Sequence, residues 1–127
     1  MSRVRSVDTK PEMLVRRALW RAGLRYRLHD RKLPGRPDIV FKSKRIAIFV
    51  HGCFWHGHEG CPRHRIPKTR SDWWAAKIAR NKERDRTALV AFAAIGWRVI
   101  VLWECEFSEQ GKLEGVVQAI KNPPHVA

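Results

Sequence analysis

Leu33-Pro34-Gly35-Arg36-Pro37-Asp38-Ile39-Val40-Phe41-Lys42-Ser43-Lys44-Arg45-Ile46-Ala47-Ile48-Phe49-Val50 reads as a turn followed by a hairpin. Proline sets φ and glycine admits left-handed φ, so Leu33 to Pro37 is a turn by composition. Asp38 to Phe41 and Arg45 to Val50 are rich in β-forming residues, and the polar triplet Lys42-Ser43-Lys44 joins them. Upstream, Tyr26 to Leu28 is a short strand. Thr9-Lys10-Pro11-Glu12 opens a helix: Thr9 caps it, Glu12 takes the reciprocal capping-box position, and Pro11 is tolerated in a first turn. Leu14, Ala18 and Leu19 continue at helical spacing, and Gly23 stops the helix. Downstream, Cys53 to Arg70 is loop-like. Ser71 or Asp72 caps a long helix to about Ile95, with Gly96 as its stop. Trp97 to Trp103 is a β-forming run that fits a buried central strand, and a last helix lies near Lys112 to Ile120. This order predicts an α/β fold, a mixed sheet flanked by helices.

The long helix carries an anomaly. Trp74, Ile78, Asn81, Asp85, Leu89 and Phe92 fall at steps of three or four and so share one face. Asn81 and Asp85 interrupt that otherwise apolar stripe. A buried carboxylate is costly unless it is paired or has a function. Asp85 therefore either pairs with an arginine or takes part in a site.

The chain has 127 residues and no repeat or long linker, which fits a single domain spanning 1–127. Lys and Arg number 26 against 12 Asp and Glu, giving a formal net charge of +14. That imbalance favours a polyanionic partner, because phosphate contacts release condensed counterions. No apolar stretch is long enough to span a membrane, so a membrane surface ranks below nucleic acid. The start, Met1-Ser2-Arg3-Val4-Arg5, has no secretory pattern. Three cysteines do not make a full disulfide framework and point instead to a metal.

His51-Gly52-Cys53-Phe54-Trp55-His56-Gly57-His58-Glu59-Gly60-Cys61 concentrates thiols and imidazoles in one segment. Thiolate sulfur and neutral imidazole are what Zn²⁺ prefers. Cys53, His58 and Cys61 are three candidate ligands. Cys105, just past the strand at Trp97 to Trp103, is placed to complete a tetrahedron; His56 and His64 are alternatives. A Cys₃His set is closed and structural, since catalysis needs an open position. Asp38, His51, His56, Asp85 and Glu12 are left for chemistry. A carboxylate and a backbone carbonyl on neighbouring strands suit Mg²⁺, and an imidazole beside them suits a general base.

Four motifs, Leu33-Pro-Gly-Arg-Pro-Asp38, Phe49-Val-His-Gly-Cys-Phe-Trp-His56, Asn81-Lys-Glu-Arg-Asp85 and Gly96-Trp-Arg-Val-Ile-Val-Leu-Trp-Glu-Cys105, resemble the very short patch repair (Vsr) endonucleases of the PD-(D/E)xK superfamily. The resemblance runs from about Thr9 to Cys105. It implies a restriction-endonuclease-like fold with a structural Zn²⁺ on Cys53, His58, Cys61 and Cys105. It implies Asp38 as the metal-binding carboxylate, joined by the backbone carbonyl of Val50 where the wider superfamily has an acid. His56 becomes the general base, with Asp85 orienting it, and His51 and Glu12 are further active-site residues. Phe54, Trp55 and Met1 become wedges in the base stack, residues 1–8 being the remnant of an N-terminal arm. The implied activity is Mg²⁺-dependent nicking 5′ to the thymine of a T·G mismatch left by 5-methylcytosine deamination. The implied setting is a cytoplasmic, nucleoid-associated, bacterial-type monomer on double-stranded DNA, working with mismatch-repair proteins. The alternatives are a Vsr-like nuclease of looser specificity, associated with restriction or a mobile element, and a non-catalytic zinc DNA-binding module.

Overall fold

A computed structural model describes residues 10–53, 56–61, 66–108 and 111–122. The chain runs through helix α1 (Lys10–Arg21), strand β1 (Arg27–Leu28), β2 (Ile39–Phe41), a 3₁₀ turn (Lys42–Lys44), β3 (Ile46–His51), α2 (Ser71–Ala94), β4 (Arg98–Trp103), a second 3₁₀ turn (Glu104–Ser108) and α3 (Lys112–Lys121). The strands lie in the order β1-β2-β3-β4; the first two pairings are antiparallel and β3–β4 is parallel. The expected α/β architecture and hairpin are present. The hairpin closes through Arg45, held at φ 54.

Alternation along β3 sorts its side chains to two sides. Ile46 and Ile48 join Val15 and Leu19 of α1 and Val117 and Ile120 of α3. Ala47 and Phe49 join Ala88 and Phe92 of α2. Both faces of the sheet are therefore covered by helices, and this explains a correction. Trp97 to Trp103 suggests a central strand, yet β4 is the edge of the sheet among the described residues, and only Leu102 in it is fully buried. A strand covered on both faces reads as continuously apolar whatever its lateral position.

Three local expectations also change. The buried stripe of α1 is Glu12, Val15 and Leu19, while Leu14 is exposed. In α2 the stripe passes through Ala88, not Leu89. The α2 cap is Arg70, in the left-handed region at φ 58 and with no side-chain cap bond, so Ser71 and Asp72 lie inside the first turn. Thr9, the expected cap of α1, falls outside the described residues.

Because β3 and β4 are parallel and in register to their ends, with His51 opposite Trp103, both strands deliver their following loops to the same edge of the sheet. Open α/β sheets build their sites at that carboxyl edge.

Candidate active site and metal centre

Cys53 follows β3 and Cys105 follows β4. Their side chains meet those of His58 and Cys61, with all four donor atoms within 4.8 Å of one another. Cys105 Sγ lies 3.4 Å from His58 Nδ1. Two ligands on a tetrahedral zinc, with bonds near 2.3 Å to sulfur and 2.0–2.1 Å to nitrogen, stand about 3.6 Å apart, so the spacing fits such an ion. The ring of His58 stacks on Trp103 at 4.1 Å, and the Cys53 amide donates to Glu104 Oε1 at 3.1 Å. Burial pushes the Cys53 thiol up to about 12, with the neighbouring sulfurs of Cys105 and Cys61 adding to it. Of the alternative ligands, His56 turns to another partner and His64 falls outside the described residues.

His56, Asp85 and His51 form a second cluster on the α2 side of the sheet. His51 points there because it alternates in phase with Ala47 and Phe49. His56 Nδ1 sits 2.8 Å from Asp85 Oδ2, and His51 Nε2 is 3.8 Å from Asp85 Oδ1. The two imidazoles stack with centroids 3.8 Å apart and planes 1° from parallel. His51 is 5% exposed, and among the described residues neither of its ring nitrogens has a hydrogen-bond partner. Burial lowers its pKa to about 4; His56 adds to the lowering and Asp85 partly offsets it. The polar interruption in α2 thus has a histidine pair opposite it rather than an arginine.

Asp38 and Glu12 lie in a third cluster, on the α1 side. The Asp38 amide donates to the Ile48 carbonyl at 3.0 Å, and its Oδ2 accepts from the Val50 amide at 2.7 Å. Glu12 is 1% exposed, and its carboxylate meets His29 Nε2 at 3.0 and 3.1 Å and the guanidinium of Arg16. Burial raises the Asp38 carboxyl to about 7; the Val50 amide opposes the rise and the Glu12 carboxylate adds to it. Glu12, His29 and Asp38 together offer three donor atoms within 4.8 Å, a set suited to a divalent cation.

The five residues left for chemistry therefore fall into two clusters, Glu12 with Asp38, and His51 with His56 and Asp85. They are joined at β3, where the Val50 amide holds Asp38 and the next residue is His51. Glu12 turns into a cluster instead of serving only as a cap. His29 is absent from the sequence-based set: the strand before it has two residues, too few to show alternation. The proposed wedges Met1, Phe54 and Trp55 lie outside the described residues.

Among the described residues no helix is long and apolar enough to cross a membrane. The family described as DNA mismatch endonuclease Vsr matches residues 1–63. The type II nicking enzyme V.XorIIP of Xanthomonas oryzae pv. oryzae is 52% identical over 123 residues, covering 97% of this chain and 90% of its own length. The type II nicking enzyme V.NmeAIP of Neisseria meningitidis serogroup A is 42% identical over 126 residues, covering 96% and 89%. DNA mismatch endonuclease Vsr of Escherichia coli is 42% identical over 113 residues, covering 89% and 72%. With similarity of this extent running through all three clusters, the chain belongs to the Vsr endonuclease family and is a DNA endonuclease.

Proposed function

We propose that this endonuclease nicks one strand of duplex DNA 5′ to the thymine of a T·G mismatch, by Mg²⁺-dependent phosphodiester hydrolysis on a zinc-stabilised fold. The carrying observation is the 2.8 Å contact between His56 Nδ1 and Asp85 Oδ2 at the carboxyl edge of the sheet. With Nδ1–H donated to Asp85, His56 keeps a lone pair on Nε2. It accepts the proton of the attacking water there, and Asp85 stabilises the imidazolium that results. His51 fixes the plane of the His56 ring by stacking. Burial keeps His51 neutral, so no second positive charge opposes protonation of His56.

Asp38, the Val50 carbonyl and Glu12 would hold Mg²⁺ beside this pair. The bound ion supplies activation of water and neutralisation of charge on the phosphodiester. Cys53, His58, Cys61 and Cys105 hold Zn²⁺ as a cross-link between the loops after β3 and β4. Phe54, Trp55 and Met1 act as wedges. Unstacking costs a few kcal/mol and least at a mispaired base, so wedging itself favours the lesion. The protein acts as one domain and as a monomer, since a single mismatch has no two-fold axis to match, and mismatch-repair proteins are its further partners. The formal net charge of +14 supports duplex DNA as the substrate.

Two relatives are named type II nicking enzymes, which supports cutting of one strand. The same names favour a second reading, a restriction-associated nuclease of looser specificity. End-labelled duplexes differing only in one T·G or C·G pair, incubated with and without Mg²⁺, separate the two. A Mg²⁺-dependent nick on the thymine strand of the mismatched duplex alone supports the first reading. Equal cutting of both duplexes replaces it with the second.

A further inference from the structure

We propose that His29 is a nitrogen ligand of the divalent ion held by Asp38 and Glu12, making this centre a mixed nitrogen–oxygen site that favours a first-row transition ion such as Mn²⁺ over Mg²⁺. The inference rests on the reading of Asp38 as a metal ligand and adds a residue to it. His29 Nε2 lies 3.0 and 3.1 Å from the two Glu12 oxygens, and all three donors of the cluster lie within 4.8 Å. Neighbouring ligands on a six-coordinate ion with bonds of about 2.1–2.2 Å are about 3.0 Å apart, so the imidazole and a Glu12 oxygen already stand at the spacing of adjacent ligands.

The surroundings favour a cation at this point. Two carboxylates, Glu12 and Asp38, are brought together inside the fold, an arrangement that is costly unless positive charge joins them. The Arg16 guanidinium reaches both Glu12 and His29, lying 3.4 Å from the imidazole nitrogen, so the gap between these residues already draws positive charge. His29 is fixed independently of that charge. Its amide donates to the Asp38 carbonyl at 3.1 Å, and its backbone holds φ 47, which together set the ring beside the carboxylate pair. The imidazole is about a quarter exposed (25%), leaving a side from which water or a phosphate oxygen completes the shell.

Ligand softness separates this site from the thiolate cluster. Sulfur selects Zn²⁺ there, whereas carboxylate with one imidazole accepts Mn²⁺, Fe²⁺ or Co²⁺ and binds Mg²⁺ through its oxygens. Removal of His29 is thus expected to weaken a nitrogen-accepting ion much more than Mg²⁺.

The test uses the zinc-loaded protein, titrated with Mn²⁺ in the absence of DNA. Paramagnetic resonance counts bound Mn²⁺, and electron spin-echo modulation detects a directly bound ¹⁴N. The expected result is a nitrogen coupling that persists in His56→Gln and disappears in His29→Gln. Mn²⁺ affinity should fall at least as far as when a ligand's outer partner is removed, roughly 10–100-fold, with Mg²⁺ competition changed much less. Free imidazole added to His29→Ala should restore the coupling, which separates loss of a ligand from loss of fold. Mn²⁺ bound without nitrogen coupling, or a coupling untouched in His29→Gln, overturns the assignment of His29 and leaves the Asp38 centre standing. Mn²⁺ binding unchanged in Asp38→Asn overturns both.

Discussion

At the residue scale burial holds two groups of the site, Asp38 and His51, away from their ordinary ionisation, and Asp38 shows the consequence. Its folded pKa of about 7 lies above the ordinary 3.8. Its contribution to stability is therefore fully present below pH 3.8 and is lost as pH rises through about 7. His51 has the opposite sign: with a folded pKa of about 4 against 6.5, its contribution is present above pH 6.5 and is lost as pH falls toward 4. Asn at position 38 keeps an acceptor for the Val50 amide and gains a donor for Glu12, without a charge to bury. Asp38→Asn, measured by denaturant unfolding without added Mg²⁺, should be more stable than the parent at pH 8 by on the order of 2 kcal/mol. It should also lose stability between pH 6.5 and 4 more steeply, because only the His51 slope remains, and it should not nick DNA. A variant less stable at every pH would show that Asp38 is not under strain. Asp85→Asn tests the neighbouring pair. Nδ1 of His56 would lose its anionic partner, so single-turnover nicking should drop by roughly 10²–10⁴-fold with little change in stability. That Asp85 needs a polar partner was legible because a carboxylate stood in an apolar helical stripe; that the partners are His51 and His56 rather than an arginine was not. Glu12 is the same anomaly in α1, at a step of three from Val15, but its place in a capping box supplied a competing explanation.

At the level of elements, periodicity made the helices and strands legible, while their close contacts were not. The phase of α2 shows why. From Asp85, a step of three reaches Ala88 and a step of four reaches Leu89, and both are apolar. The turn before β2 decides between them, since a Cβ on Gly35 would stand 2.6 Å from the Ala88 Cβ and 3.3 Å from the Phe49 ring. A helix packed this closely needs the smaller side chain. Gly35 also holds φ 69, so its replacement incurs both backbone strain and overlap. Gly23, at φ 84, has nothing within 4 Å of where a Cβ would stand and incurs only the strain. Gly23→Ala is thus expected to cost about 1 kcal/mol, and Gly35→Ala roughly 2–4 kcal/mol. The Gly35 variant should also nick more slowly, because the same turn leads into Asp38. Adding Ala88→Gly should recover part of the Gly35→Ala loss and none of the Gly23→Ala loss. Equal losses at the two glycines would mean that the turn does not press on α2. The edge position of β4 was illegible for a related reason: sequence records coverage of the faces, and β4 packs against helices on both of them, as a central strand does.

For the whole molecule, two features act at once, the proposed zinc cross-link and the net charge. The cross-link ties the ends of β3 and β4 through residues far apart in sequence, so removing Zn²⁺ with a chelator should lower Tm by about 10 °C or more; Cys105→Ser should do the same without chelator. The charge acts on DNA. An excess of 14 positive charges favours any duplex through its phosphates, and that attraction weakens as salt rises, by about 0.9 in log–log slope for each phosphate engaged. The proposed wedging at a mispaired base would act on stacking, which carries no such counterion term. If the two are independent, T·G and fully paired duplexes should give parallel lines of log affinity against log salt, offset by a constant preference for the mismatch. Raising salt would then weaken binding to both and leave their ratio unchanged. Titrating both duplexes with the Asp38→Asn protein, which is expected not to cut, measures this directly. A steeper line for the mismatched duplex would instead mean that wedging bends the DNA onto further basic residues, so that lesion recognition and phosphate contact are coupled.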